Sequence, residues 1–374
     1  MVGVGTSVAT VRKRLFGVAI LLVALAAICA ATATGTAGAA QGSGLRFHTV
    51  RVIDPLGGNI EAYRLLVPRG WIWKGGVRWN LNYANVASVA MRVRNPRGLE
   101  AVESFPLVPQ VWNDTTFLGT EGSNYLGSEV RRPLQPAAFL TRLVIPTLRG
   151  SLRPETLRAV RLPKVARALA TGPRDPSLKS EYDAARVRIT YRENGRAIDE
   201  DVYVGLAYQR SSILPAQLLW QPLFLYSFKA RHGDLDRASR VLETIVSSVR
   251  PSLRWYAGYQ HVVDLWTQGQ MQAIRAAGAL SRAISDANDS ITASISDAWR
   301  DQQDSYDRVY DRISEQIRGV ETYDNPFEGH PVQLPSDYGY AWVSTRGEYA
   351  LSDDANFNPN VGSTIDWRLL KPAR

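Results

Sequence analysis

Ten residues near the C-terminus, "LSDDANFNPN" at 351–360, place Asp354, Asn356, Asn358 and Asn360 at every second position, the alternation of oxygen ligands in a calcium loop. Such a loop also needs glycine at its sixth position and a bidentate glutamate at its twelfth; here those positions hold Pro359 and Ile365. Asp and Asn also close Asx turns on their own backbone. The expectation is therefore a turn, with Asp354, Asn356 and Asn358 as metal ligands only if that reading fails, and no cofactor. The histidines His48, His232, His261 and His330 have no zinc-ligand spacing. Ser227 and Lys229 have Ser-x-Lys spacing, but in a strand that spacing only puts both on one face. There is no nucleophile elbow or phosphate loop, and no catalytic residue is assigned.

Two groups have the chemistry of binding. Trp71, Trp73 and Trp79 cluster beside Lys74, Gly75, Gly76 and Arg78. Flat rings beside a cation can stack sugars or bases, while the plainer reading of such rings is core. The stretch 131–179 holds 11 Lys/Arg, beginning with Arg131 and Arg132, against only Glu155 and Asp175. It reads as an anion-binding surface or as a solvated face whose arginine stems lie on apolar neighbours. Five carboxylates, Asp54, Glu61, Glu100, Glu103 and Asp114, support a rival reading as a hydrolase of envelope polymers, which needs two of them at a set separation.

Charge is divided along the chain. Residues 41–257 carry 31 Lys/Arg against 18 Asp/Glu, residues 258–320 carry 6 against 9, and residues 321–374 carry 4 against 8. A basic front joined to an acidic back is a reason to expect a polyanionic partner or charge-guided self-association. The N-terminus reads as a secretory signal peptide, residues 1–40. Arg12, Lys13 and Arg14 precede an apolar run from Leu15 to about Ala33 and a small-residue stretch ending at Ala40. This implies export through the Sec pathway to the periplasm, cell surface or medium, with an uncleaved membrane anchor as the alternative. Cys29, the sole cysteine, lies inside that segment, so the remainder has no disulfide. Export argues against nucleic acid as the partner.

The elements that must position these groups are strands first. "LRFHTVRVID", "AYRLLVPRGWIW" and "NVASVAMRVRNP" alternate, and two β-rich runs flank Asn194-Gly195, the dipeptide of a two-residue hairpin. "PLFLYSFKA" is a last strand. In 234–250, Leu235, Ala238, Val241, Leu242, Ile245, Val246 and Val249 share one helix face, with Asp234 as expected N-cap and Pro251 as stop. Short helices are expected near Glu155–Val160 and Pro163–Leu169.

The early turn Pro68-Arg69-Gly70-Trp71 and the late Ser248-Val249-Arg250 after a strand and helix resemble the PsbP-like superfamily of exported α/β/α sandwiches, over residues 45–255 at most. That resemblance implies a binding or assembly module with no catalytic residues to carry over.

From 258 to 320 there is no proline. Ile284, Ile291, Ile295, Val309, Ile313 and Ile317 step by seven or by three and four, the seam of a coiled-coil-like helix about 90 Å long. Such a stripe must be buried, either by folding back as a hairpin near Gly278 or Asn288 or, the favoured expectation, by self-association. The tail, 321–374, similar in texture to tails of exported bacterial proteins, reads as a small β element with a hairpin near Thr345-Arg346-Gly347. The expected architecture is thus α+β: an antiparallel sheet with packed helices over 41–257, a long helix over 258–320 and a β-rich tail. The expected role is an exported, non-enzymatic binding or assembly protein that engages an anionic envelope polymer or envelope protein.

Overall fold

The computed structural model describes residues 45–80, 86–114, 120–125, 128–170, 178–211, 216–267, 320–329, 331–335 and 338–373. Among the described residues nineteen strands run in chain order: β1 Leu45–Asp54, β2 Ile60–Pro68, β3 Ile72–Trp79, β4 Ala87–Arg94, β5 Ala101–Ser104, β6 Gln110–Asn113, β7 Asn124–Tyr125, β8 Ser128–Val130, β9 Glu155–Arg161, β10 Leu178–Glu193, β11 Arg196–Ser211, β12 Gln217–Arg231, β13 Arg250–Pro251, β14 Val320–Asp324, β15 Val332–Pro335, β16 Tyr340–Ser344, β17 Glu348–Ser352, β18 Trp367–Leu369 and β19 Lys371–Pro372. The helices are α1 over 136–149, α2 Pro163–Leu169, α3 Leu235–Ser247 and α4 Leu253–Thr267.

The spine is a ten-stranded sheet with main order β3-β4-β5-β12-β11-β10-β9. Its centre is the β10–β11 hairpin, sixteen residues per strand, turned by Asn194 (φ 52°) and Gly195 (φ 76°) as the Asn-Gly dipeptide predicts. Pro222 is tolerated inside β12 because the register against β11 shifts there, between Gly205 and Leu206. Gly205 is required beside it: a Cβ would sit 2.3 Å from the Phe224 ring.

Over its central strands this sheet packs an apolar cluster on each face. One is covered by α1, which packs Phe139, Leu140, Val144 and Ile145 onto Val187, Ile189, Val202, Val204 and Leu225. The other packs on α3 and α4, where Leu242, Ile245, Val246, Trp255, Tyr259 and Val262 meet Tyr203, Tyr226 and Phe228. Beyond α3 lies a six-stranded sheet, β13-β2-β1-β17-β16-β18, so α3 is buried between two sheets. Ser248 Oγ, at its C-cap, accepts a hydrogen bond from the Leu66 amide of β2. A third sheet, β15-β14-β19, closes a small core around Phe47, Tyr349, Val343 and Leu334.

Several expectations are corrected. Among the described residues 51% lie in strands and 20% in helices, and no long coiled-coil helix is seen. The stretch 258–267 forms the second half of α4, and Tyr259, Val262 and Val263 are core residues. This part of the expected stalk is therefore an interior packing element. Ile284, Ile291, Ile295, Val309, Ile313 and Ile317 lie outside the described residues, as does the segment 1–40. No described helix is long and apolar enough to cross a membrane. The tail is no separate element: its expected hairpin forms as β16–β17, but β17 pairs with β1, from Leu45↔Leu351 to His48↔Glu348, and so completes the first sheet. Glu155–Val160 is not helical but lies in edge strand β9, which pairs antiparallel with β10 from Arg161↔Ala185 to Glu155↔Thr190. Asp234 starts α3 without capping a backbone amide and pairs instead with Arg237. The helix that sequence reasoning missed is α1. Pro136 stands at its start, and the π turn Leu140–Val144 precedes Pro146, whose ring and missing N–H a regular turn would not accommodate.

Candidate anion-binding face

Paired residues in an antiparallel sheet share a face, so the register sorts the chemistry. On the α1 face one row runs Lys74–Arg92–Glu103–Ser227–Val202–Val187. The next runs Ile72–Arg94–Ala101–Lys229–Glu200–Ile189. Over β10–β12 these rows set Val202, Val187 and Ile189 beside the polar Ser227, Lys229 and Glu200. Over β3 and β4, beyond the helix, the same face carries Lys74, Arg78, Arg92 and Arg94, all exposed. None of the four has an acid within ion-pair distance among the described residues. Lys74 and Arg92 stand directly opposite one another, an arrangement that like charges make unfavourable.

A polar network closes the boundary between covered and open halves. Glu200, fully buried, accepts hydrogen bonds from Arg149 Nε and Nη2, both at 2.8 Å, and from the Tyr191 hydroxyl at 2.7 Å. Arg149 Nη2 also reaches Glu103 Oε2 at 3.0 Å, and its guanidinium lies over the Phe105 ring. Burial alone would lower the Arg149 pKa, but the hydrogen bonds and charge of Glu200 reverse that and raise it. Burial, then the charge of Glu200, raise the Tyr191 phenol. Lys229 Nζ donates to Glu193 Oε2 at 2.9 Å, and this bond holds the Glu193 carboxyl below its usual range. The network's three carboxylates thus each accept a hydrogen bond from Arg149 or Lys229, with one negative charge in excess. The four cations of the open half are left for solvent or a ligand.

The candidates from sequence separate across this sheet. Trp73 and Trp79 alternate with Lys74 along β3 and so face the opposite way, where with Trp71 they pack half-buried against the main core. Trp79 is also fixed by chemistry. Its indole N–H donates to Asp54 Oδ2 at 2.7 Å, Trp255 Nε1 donates to the same oxygen at 2.6 Å, and the Leu56 amide donates to Oδ1 at 3.1 Å. Asp54 is thereby a fully buried carboxylate that joins the β1–β2 turn, β3 and α4. The stacking platform is structural, and of that cluster only the cations Lys74 and Arg78 belong to the cationic face. Arg131 pairs with Glu129, and Arg132 lies over the Trp112 ring at 5.0 Å beside Glu121. Neither joins the open half of β3–β4.

The remaining candidates are dispersed. Glu61 faces Arg51 and Arg64, Glu100 accepts from Asn95, Glu103 from Arg149 and Asp114 from Arg210, so each of these four carboxylates, like Asp54, has its own partners. His232 Nδ1 lies 2.7 Å from Asp199 Oδ1, and the Gly233 amide donates to Asp199 Oδ2. This pair fastens the turn from β12 to α3. In the tail, Asp354 Oδ1 accepts from the Asn356 amide and Asn358 Oδ1 from the Asn360 amide, the Asx turns of the plainer reading. No group of three or more candidate metal ligands occurs among the described residues. Sequence reasoning missed Arg78, Arg92 and Arg94 as a set. The signal was there in "KGGVR" and "MRVR", cations four and two residues apart, and so on one face, of two neighbouring strands.

No protein-family model matches the chain, and no curated protein matches it in sequence. The comparisons therefore give no support to the PsbP-like resemblance.

Proposed function

We propose that the protein is an exported binding module that holds an anionic polymer of the cell envelope against the open half of its ten-stranded sheet. The observation that carries this reading is the exposed set Lys74, Arg78, Arg92 and Arg94 on one face of β3–β4, with Lys74 and Arg92 directly opposite. The mutual repulsion of that pair is relieved by a bound anion. Arginine forks take carboxylate or phosphate oxygens two at a time, and lysine adds a mobile point charge. Side chains two apart on a strand are about 6.6 Å apart and adjacent strands about 4.8 Å, so the surface meets several groups of a chain at once. Export rests on the n-region, apolar run and small-residue stretch of residues 12–40.

The test is fluorescence anisotropy of labelled polyphosphate and of labelled poly-γ-glutamate with the wild-type protein and with Lys74→Glu/Arg92→Glu. Binding that weakens with salt and falls about 100-fold in the double variant supports the reading; the two probes distinguish phosphate-bearing from carboxylate-bearing polymers. Equal affinity of variant and wild type, or no binding to either probe, overturns it. Cell fractionation with N-terminal sequencing tests export: a cytosolic protein with an intact N-terminus overturns that half.

A further inference from the structure

Resting on that reading, we infer that Glu103 is the internal counter-ion of the anion site, the residue that sets how much negative charge a ligand needs to bind. Three observations carry this. First, Arg149 is already matched: Glu200 takes both Nε and Nη2 at 2.8 Å, so Glu103, on Nη2 at 3.0 Å, is a second carboxylate on one guanidinium. One negative charge is left over in that trio. Second, Glu103 is directly opposite Arg92 in the row Lys74–Arg92–Glu103, so the surplus charge is presented to the innermost cation of the open half. Third, the two carboxylates differ in freedom. The Glu200 side chain is 0% exposed and bonded also to Tyr191, whereas that of Glu103 is 27% exposed and is held by Arg149 alone among the described residues. Glu103 is the one that can swing into water without leaving a buried charge behind.

An approaching anion at Arg92 therefore meets a resident carboxylate one strand away, about 4.8 Å in the sheet plane. A small monoanion gains too little to displace it. A polymer already anchored at Lys74 and Arg78 reaches Arg92 and Arg94 at high effective concentration, and Glu103 yields. Glu103 thus favours extended polyanions over single ions.

The experiment is the same anisotropy titration, with labelled polyphosphate and the full-length protein, on Glu103→Gln and Glu103→Ala across 50–200 mM salt. Both variants keep the two bonds of Glu200 to Arg149, and circular dichroism verifies their folding. The expected result is roughly three- to tenfold tighter binding in both, with a log–log salt slope steeper by about one unit, since one more ligand charge is met by a protein cation. Unchanged or weaker binding in both folded variants, while Lys74→Glu/Arg92→Glu still abolishes binding, overturns the role of Glu103 and leaves the anion-binding reading standing. If the double charge reversal also leaves binding unchanged, the face itself is not the site and both inferences fall.

Discussion

The two halves of the α1 face are built on the same alternation and end differently. Over β10–β12 the outward positions include Val187, Ile189, Val202, Val204 and Leu225, and α1 covers these. Over β3–β4 they are Lys74, Arg78, Arg92 and Arg94, and no described element covers them. Period-two patterning makes either half a strand; the side chains chosen for one face decide whether it becomes core or surface. The boundary is held by Arg149, the last residue of α1, which anchors the helix to Glu200 and Glu103. The sharpest way to break the contrast is to remove that anchor. Arg149→Ala leaves Glu200 as a buried carboxylate with only Tyr191 for support, and a loss of about 3–5 kcal/mol is expected in chemical denaturation. Arg149→Lys restores charge but not the two-pronged geometry and should recover only part of it.

The open half should behave oppositely. Lys74→Glu/Arg92→Glu exchanges one exposed pair of opposed like charges for another, so its unfolding free energy should stay within about 0.5 kcal/mol of wild type. Its polyanion affinity should nevertheless fall about 100-fold, roughly 2.7 kcal/mol. A variant pair in which Arg149→Ala loses stability and the double reversal loses only binding would separate a structural half from a functional one. Parallel losses of stability in both would show that the cations support the fold.

How much of this was legible varies with the range of the interactions involved. The β10–β11 hairpin and the apolar stripe of α3 are local patterns, fixed by Asn194-Gly195 and by Leu242, Ile245 and Val246, and they read directly from sequence. The helix α1 did not, because Pro136 and Pro146 look like breakers until one is placed at a helix start and the other after a π turn. The pairing of β1 with β17 joins residues about 300 apart, as Thr49 to Gly347 shows with |i−j| of 298, and no local signal encodes it. Lys74 stood out in the sequence as a candidate, but in the wrong company. The indoles beside it in sequence belong to the other face, while its neighbours in space, Arg92 and Arg94, come from the next strand.

The polar networks also separate in their response to pH. Lys229 holds Glu193 below its usual range, Arg188 does the same for Asp236, and at Asp199 the raising effect of burial is outweighed by the Gly233 amide and His232. Because the folded-state values lie below the unfolded ones, near 4, these groups stabilise the protein fully above that pH. Their contribution is lost as pH falls through the depressed values. Burial raises Tyr63, Tyr191, Tyr208, Tyr259, Tyr323 and Tyr349 above 10. Their contribution is complete below the ordinary tyrosine value and is lost as pH rises from there toward the folded values. Phenolate absorbance at 295 nm should therefore show these six titrating only with unfolding, later than in denaturant. Titration of all 16 tyrosines near pH 10 in the native protein would contradict the packing of both cores.

The smallest effect is expected in the tail loop that most resembles a metal site. Its Asp354 and Asn358 oxygens are occupied by the amides of Asn356 and Asn360, and Asn360 is tied in turn to the backbone of Trp367 through its Oδ1 and Nδ2. Asp354→Ala removes one exposed Asx hydrogen bond and should cost about 0.5–1 kcal/mol. Millimolar calcium should shift the melting temperature of wild type and variant equally or not at all. A calcium-dependent rise in wild type that vanishes in Asp354→Ala would restore the loop as a cation site and add a second charged ligand to a molecule whose cationic face is at β3–β4.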